Sequence, residues 1–110
     1  MKITKELLVD AFKAARDAAL QADPGEDCDT GTCNMDTPIL RIPRVRFALI
    51  QEAAKEAQLD VSESMWLGKR AIFLYSPMFG QALRRTMMAE AAKNALAAKG
   101  LDARVYYQMD

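Results

Sequence analysis

The chain has 110 residues, of which 51% are hydrophobic and 27% are charged, and its 15 basic side chains balance its 15 acidic ones. This composition is typical of one globular domain, and a chain of this length buries enough surface for a single core. The zero net charge and the lack of an apolar run of about 18 residues argue against nonspecific DNA coating and against a membrane partner.

Catalysis and metal binding are limited by the absence of histidine from the whole sequence. Histidine is the usual general base and a common metal ligand, so most familiar catalytic arrangements are excluded. Structural zinc takes four ligands, but the chain offers only Cys28 and Cys33, and Pro38 stands where a calcium loop would carry its bidentate glutamate. We therefore expect no metal and no cofactor. The sequence favours a non-catalytic protein without deciding the question.

The first predicted element is a helix over residues 1–22. Thr4 is a plausible N-cap, Leu8 and Phe12 recur at helical spacing, and Asp23-Pro24-Gly25 stops the helix. An amphipathic helix that carries acidic residues from the start is unlike a secretory leader, so we expect a cytoplasmic protein with reduced cysteines.

An acidic loop follows at residues 23–37 and contains five carboxylates and no basic residue. Residues 1–37 carry four basic and eight acidic side chains, whereas residues 38–110 carry eleven basic and seven acidic ones. The neutral total therefore conceals a polarised chain. The simplest interpretation is that the acidic loop folds back on the basic part of its own chain.

The sequence after the acidic loop predicts six further elements. A proline-bounded strand at 37–43 precedes a helix that begins near Arg44, and strands at 61–66 and 70–75 are joined by a tight turn at Leu67-Gly68-Lys69. Ser76 and Pro77 are a preferred pair for the start of the third helix, Gly100 ends it, and a strand occupies 103–109.

This order predicts an α+β fold in which residues 38–110 form a ferredoxin-like βαββαβ core with an antiparallel sheet of order 4-1-3-2. The helix at 1–22 would be an additional, accessory element of the same single domain.

Aromatic residues on the predicted third strand raise the possibility of RNA recognition. Phe73 and Tyr75 share a face of that strand, where RNA-recognition domains carry stacking aromatics, but the first strand offers Ile39 and Arg41 instead of an aromatic. Core packing accounts for Phe73 at least as well, and hairpin or core packing for Trp66.

The third helix places a cation among apolar positions. Its predicted apolar face contains Leu83, Met87, Met88, Ala91 and Ala95, and helical geometry puts Arg84 in the middle of that arc. A buried guanidinium requires a partner. Both an internal salt bridge and a ligand-facing cation remain open, with the salt bridge favoured.

Three local motifs resemble those of small bacterial proteins, some encoded in prophages, to which no activity, substrate or cofactor is assigned. The motifs are an acidic loop with Gly31-Thr32-Cys33-Asn34-Met35-Asp36, a segment with Gly80-Gln81, Arg84-Arg85-Thr86 and Ala89-Glu90-Ala91, and the terminal Tyr106-Tyr107-Gln108-Met109-Asp110. The resemblance implies domain limits and candidate positions but no chemistry.

Two functional hypotheses remain. The first is a non-catalytic module that contacts an unknown protein partner, or a second copy of itself, through an open sheet face or edge strand. The second is a binder of a small anion, nucleotide or RNA through Arg84, Arg85 and the start of the third helix.

Strand order 4-1-3-2 predicts that one rim of the sheet gathers the end of the acidic loop, the start of the third helix and the C-terminus. The candidate binding residues all belong to this rim: Cys33, Asn34, Asp36, Ser76, Gln81, Arg84, Arg85, Gln108 and Asp110. Asp36 or Asp110 would pair there with Arg84 or Arg85. The pair would either stabilise the fold, which we call a structural lock, or form a ligand site. The lock is the favoured interpretation.

Overall fold

The computed structural model describes residues 2–25, 36–75 and 82–107. Within these residues the elements are α1 (Lys5–Ala22), β1 (Thr37–Leu40), α2 (Phe47–Glu56), β2 (Asp60–Trp66), β3 (Lys69–Tyr75), α3 (Ala82–Ala98) and β4 (Ala103–Tyr106). The strands form one antiparallel sheet in the order β2-β3-β1-β4. The fold is therefore α+β, and the predicted order 4-1-3-2 is confirmed, because it is the same order counted from the opposite edge.

Helix α1 begins at Lys5, after the predicted cap Thr4 and later than the predicted range 1–22, and it ends at Ala22 as predicted. The Leu7 amide donates to Thr4 Oγ1 at 3.2 Å, which caps the first turn. Its apolar stripe is fully buried, with Phe12 and Leu8 the two largest fully buried side chains. Since α1 packs against both α2 and α3, it contributes directly to the core.

The helices cover one face of the sheet. Leu40, Ile72 and Leu74 point into the same buried cluster as Ile50 of α2 and Leu96 of α3. Because successive side chains of a strand point to opposite faces, the residues between them point away from the helices. No helix of the described residues is long and apolar enough to cross a bilayer.

The turn between β2 and β3 matches the prediction. Leu67 and Gly68 connect the strands with φ values of 52° and 76°, the left-handed pair that a two-residue turn of type I′ requires. Lys69 belongs to β3 and pairs with Trp66.

The start of α2 corrects the sequence prediction. The helix begins at Phe47, three residues after Arg44. The guanidinium of Arg70 donates to the carbonyl oxygens of Ile42 and Val45, and these contacts hold the preceding segment as a turn. A contact from β3 therefore competes with helix formation at this point. No periodicity within residues 44–56 encodes that contact.

The buried face of α3 is a second correction. Met88 is buried as predicted, but the other buried residues are Ala89, Ala92 and Leu96, and Met87 is 39% exposed. Arg85, which precedes Met88 by three residues and Ala92 by seven, lies on this stripe in place of Arg84. Small apolar residues occur on several sides of this helix, so spacing alone selected the wrong face. The predicted cap at Ser76 and Pro77 lies outside the described residues.

Candidate functional site

The first candidate region is the predicted rim, where Arg84 forms a two-pronged ion pair. Its Nε lies 2.8 Å from Asp23 Oδ1 and its Nη2 lies 2.9 Å from Asp23 Oδ2. Asp23 is the C-cap of α1 and also accepts a hydrogen bond from the Gly25 amide. The sequence predicts that Asp36 or Asp110 pairs with Arg84 or Arg85. The structure pairs Arg84 with Asp23, which joins the end of α1 to the start of α3.

The contacts of Asp23 also affect its ionisation. The hydrogen bonds from the Arg84 guanidinium and from the Gly25 amide hold the pKa of the Asp23 carboxyl below its ordinary value. Both partners favour the charged form, and they outweigh the opposing effect of partial burial. Asp23 is therefore an ionised partner of Arg84 at neutral pH.

A second set of rim contacts surrounds the buried Asp36. The Thr86 hydroxyl donates to Asp36 Oδ2 at 2.7 Å, and Arg85 Nε donates to the Asp36 carbonyl oxygen at 2.8 Å. Arg85 also reaches Thr37 Oγ1 at 3.3 Å. Asp36 is only 4% exposed, so protein groups replace water around it. These contacts fasten the start of β1 to the first turns of α3.

The described ends of the three predicted rim segments meet. Thr37 pairs with Tyr106 in the sheet, and the Tyr107 hydroxyl donates to Glu90 of α3 at 3.0 Å. The structure thus brings Asp36, Arg84 and Arg85 to one end of the molecule. The remaining candidates lie outside the described residues: Cys33, Asn34, Ser76, Gln81, Gln108 and Asp110.

The second candidate region is the sheet face turned away from the helices, which we call the open face. Strand register places four aromatic side chains there: Trp66 of β2, Phe73 and Tyr75 of β3, and Tyr106 of β4. The chain contains eight aromatic residues, so half of them lie on this one surface. No described helix or strand covers this face.

In one half of the open face, the guanidinium groups of Arg41 and Arg104 lie close to the indole ring of Trp66. Arg41 Nη2 donates to the Trp66 carbonyl oxygen at 2.6 Å, and its guanidinium carbon lies 4.7 Å from the centre of the Trp66 ring. The guanidinium of Arg104 lies 5.9 Å from the same ring. Ala71, which pairs with Ser64, lies on the same face and has no exposed surface.

The other half consists of packed aromatic rings. Phe73 and Tyr106 meet edge to face with their ring centres 5.6 Å apart, a favourable aromatic geometry. Ile39 lies between their strands and is fully buried on the side away from the helices. Tyr75 is 37% exposed, and its hydroxyl is 3.4 Å from that of Ser62.

The charges on the open face are predominantly positive. Its sheet positions include the cations Arg41, Lys69 and Arg104, and Asp60 is the carboxylate among them. Within the described residues, no carboxylate is within ion-pair distance of Arg41 or Lys69, and Arg104 has a long, exposed contact with Asp102. The positive charge of the face is therefore carried mainly by Arg41 and Lys69, at the Trp66 end.

A pocket at the end of β1 extends this charge over the edge of the sheet. Lys2, Arg41 and Arg44 line it together with Ile3 and Pro43. Arg44 and Lys2 are exposed. These three basic side chains therefore lie at the end of the sheet opposite Asp36.

Sequence reasoning found part of the open face and missed the rest. The shared face of Phe73 and Tyr75 was expected from strand alternation and is confirmed. The sequence-based prediction treats Arg41 only as a first-strand residue that is not aromatic. It does not connect Tyr106 and Arg104 with this face, although the predicted strand order with period-two alternation contains the necessary information. Trp66 was assigned to hairpin or core packing, and the contacts across β3 that place it beside Arg41 are tertiary.

Comparisons of the chain with protein-family models, with curated proteins and with solved structures found no match. Function is therefore inferred from the geometry of these two regions. In the described residues no three cysteine, aspartate or glutamate side chains are grouped as a metal site would require.

Proposed function

We propose that the protein is a small non-catalytic interaction module that binds its partner through the open face. The observation that carries this proposal is the concentration of Trp66, Phe73, Tyr75 and Tyr106 on a sheet surface that no described helix or strand covers. Partly exposed aromatic rings on a rigid sheet supply contact area at a low cost in conformational entropy. The lack of histidine supports a binding role over a catalytic one.

In this proposal the rim is a structural lock. Arg84 is held by both oxygens of Asp23, and Arg85 donates to the Asp36 carbonyl and to Thr37. A small anion would have to compete with these intramolecular contacts. The geometry therefore favours the lock over an anion, nucleotide or RNA site at Arg84 and Arg85.

We also propose that the fold is ferredoxin-like, with α1 as an additional N-terminal helix. The β-α-β-β-α-β order after α1 and the strand order support this assignment. The resemblance to prophage proteins implies a role in a mobile element, and we propose that role as well.

Photo-crosslinking in the cells that produce the protein tests the binding surface without assuming the partner. A photoreactive phenylalanine analogue replaces Tyr75 on the open face or, as the matched control, Tyr107, which is 61% exposed and contacts α3. We expect adducts of higher mass from position 75 and few from position 107. Equal adduct formation at both positions, or none at position 75, would refute the open face as the binding surface.

A further inference from the structure

We infer that the ligand of the open face is a single-stranded nucleic acid, whose bases stack on the aromatic rings and whose phosphates contact the basic end of the sheet. This inference rests on the proposed binding role of the open face. It assigns the ligand to a different surface from Arg84 and Arg85.

The first argument is the combination of rings and cations on one surface. Phe73 and Tyr75 are two residues apart on β3, and Tyr106 packs against Phe73 from β4, so the rings span three strands. Sheets that bind single-stranded nucleic acid use such rings because every base has a π face that can stack on them. Cationic side chains of these sheets contact the phosphate backbone of the nucleic acid. A guanidinium also stacks on a base, which suits Arg104 beside Trp66.

The second argument is the placement of the positive charge. Arg41 and Lys69 lie at the Trp66 end of the face, and the pocket that contains Lys2, Arg41 and Arg44 continues the charge over the edge. Arg41 Nε is buried and has no hydrogen-bond partner in the described structure. A polyanion that crossed the rings towards this end would find successive cations.

The charge pattern also distinguishes the ligand from other partners. Protein interfaces are enriched in arginine and aromatic residues but depleted of lysine, so the observations that favour a polyanion are the exposed Lys69 and the basic pocket beyond the face, not the arginines beside Trp66. A lipid surface would engage protruding aliphatic side chains, and those nearest, Met65 and Leu67, lie at the hairpin end and not on the open face. A nucleic acid uses the rings and the cations together.

Trp66 provides a direct assay because it is the only tryptophan in the chain. The 110-residue chain is titrated with a 12-nucleotide oligouridylate, with the matched oligothymidylate, and with vesicles of phosphatidylserine and phosphatidylcholine. We expect both Trp66 fluorescence and the anisotropy of a labelled strand to report saturable binding of at least one oligonucleotide. Comparison of the two oligonucleotides distinguishes RNA from DNA as the preferred ligand.

Salt dependence tests the phosphate contacts. Three neutralised phosphates predict a slope of about −2 for log affinity against log salt, or about a 20-fold loss of affinity between roughly 50 and 200 mM salt. Binding that is independent of salt would overturn the role of the basic end.

Matched variants test the surface. Tyr75→Ala should weaken binding at least about 5-fold, as expected from loss of one stacked base, while Tyr107→Ala leaves it unchanged. Lys69→Gln should weaken binding and reduce the salt slope by about 1, with the exposed Lys55→Gln on α2 as control. Circular dichroism and the melting temperature establish that each variant is folded before binding is compared.

Several results would overturn the inference. These are no binding of either oligonucleotide, equal weakening by the open-face and control variants, or a Trp66 blue shift with vesicles alone. Protein-only adducts from position 75 in the crosslinking experiment would also refute the nucleic acid, but would leave the open face as the binding surface. Absence of adducts from that position would instead refute the proposed function itself.

Discussion

Replacing Thr86 by valine tests the structural lock at the rim. Valine keeps the shape of threonine but removes the hydroxyl that donates to Asp36 Oδ2 at 2.7 Å. Asp36 is 4% exposed, so water has little access to replace the lost donor. The lock requires that this substitution lowers the free energy of unfolding, whereas a rim built mainly for a ligand would tolerate it.

The expected magnitude follows from the charge of the acceptor. A hydrogen bond to a charged group contributes about 1.5–3 kcal/mol net, against a total stability of about 5–15 kcal/mol for a domain. For a chain of this size the loss corresponds to a melting temperature lower by roughly 6–15 °C. Thr86→Ser, which keeps the hydroxyl, should lower the free energy of unfolding clearly less than Thr86→Val.

The assay is urea unfolding at pH 7, followed by circular dichroism, on a double-mutant cycle of Thr86→Val and Asp36→Ala. The cycle isolates the energy of the pair from the other effects of each substitution. A coupling energy of at least about 1 kcal/mol is expected. Additive effects, or a Thr86→Val protein as stable as the parent, would refute the lock and restore the ligand-site hypothesis.

Three further predictions concern the core, the ion pair and the hairpin. Phe12→Ala should lower the free energy of unfolding in urea by about 3–5 kcal/mol because Phe12 is fully buried. Leu20→Ala, at a position 38% exposed on the same helix, should lower it much less. Similar losses from the two substitutions would contradict a core role for α1. Because folding lowers the pKa of Asp23, its contribution to stability is present above the ordinary carboxyl value of 3.8 and is lost as pH falls through the folded value. The stability difference between the parent and Asp23→Asn should therefore shrink on acidification, and a constant difference would show that ionisation is not responsible. Leu67→Gly should raise the melting temperature by a few degrees, since a non-glycine residue in the left-handed region costs about 1–2 kcal/mol, and an unchanged value would contradict strain at this turn.

The architecture was accessible from the sequence because its determinants are local. The Thr4 cap, the stop after Ala22 and the Leu67-Gly68 turn each depend on residues within a few positions of one another. Once the order of elements was predicted, the short connections left few strand orders, and the antiparallel order followed. The meeting of Asp36 with the start of α3 followed from that order as well.

The sequence determined the cap and the end of α1, the hairpin, the strand order and the rim at which Asp36 and α3 meet. Tertiary structure alone decided that Arg84 pairs with Asp23, that Ala92 and Leu96 are on the buried side of α3, and that Trp66 lies beside Arg41. The difference has a physical cause. Caps, turns and the alternation of strand side chains are encoded by neighbours in the chain. A helix with small apolar residues on several sides acquires its buried face only when distant elements pack. The same is true of the partner of an arginine that has several carboxylates in reach.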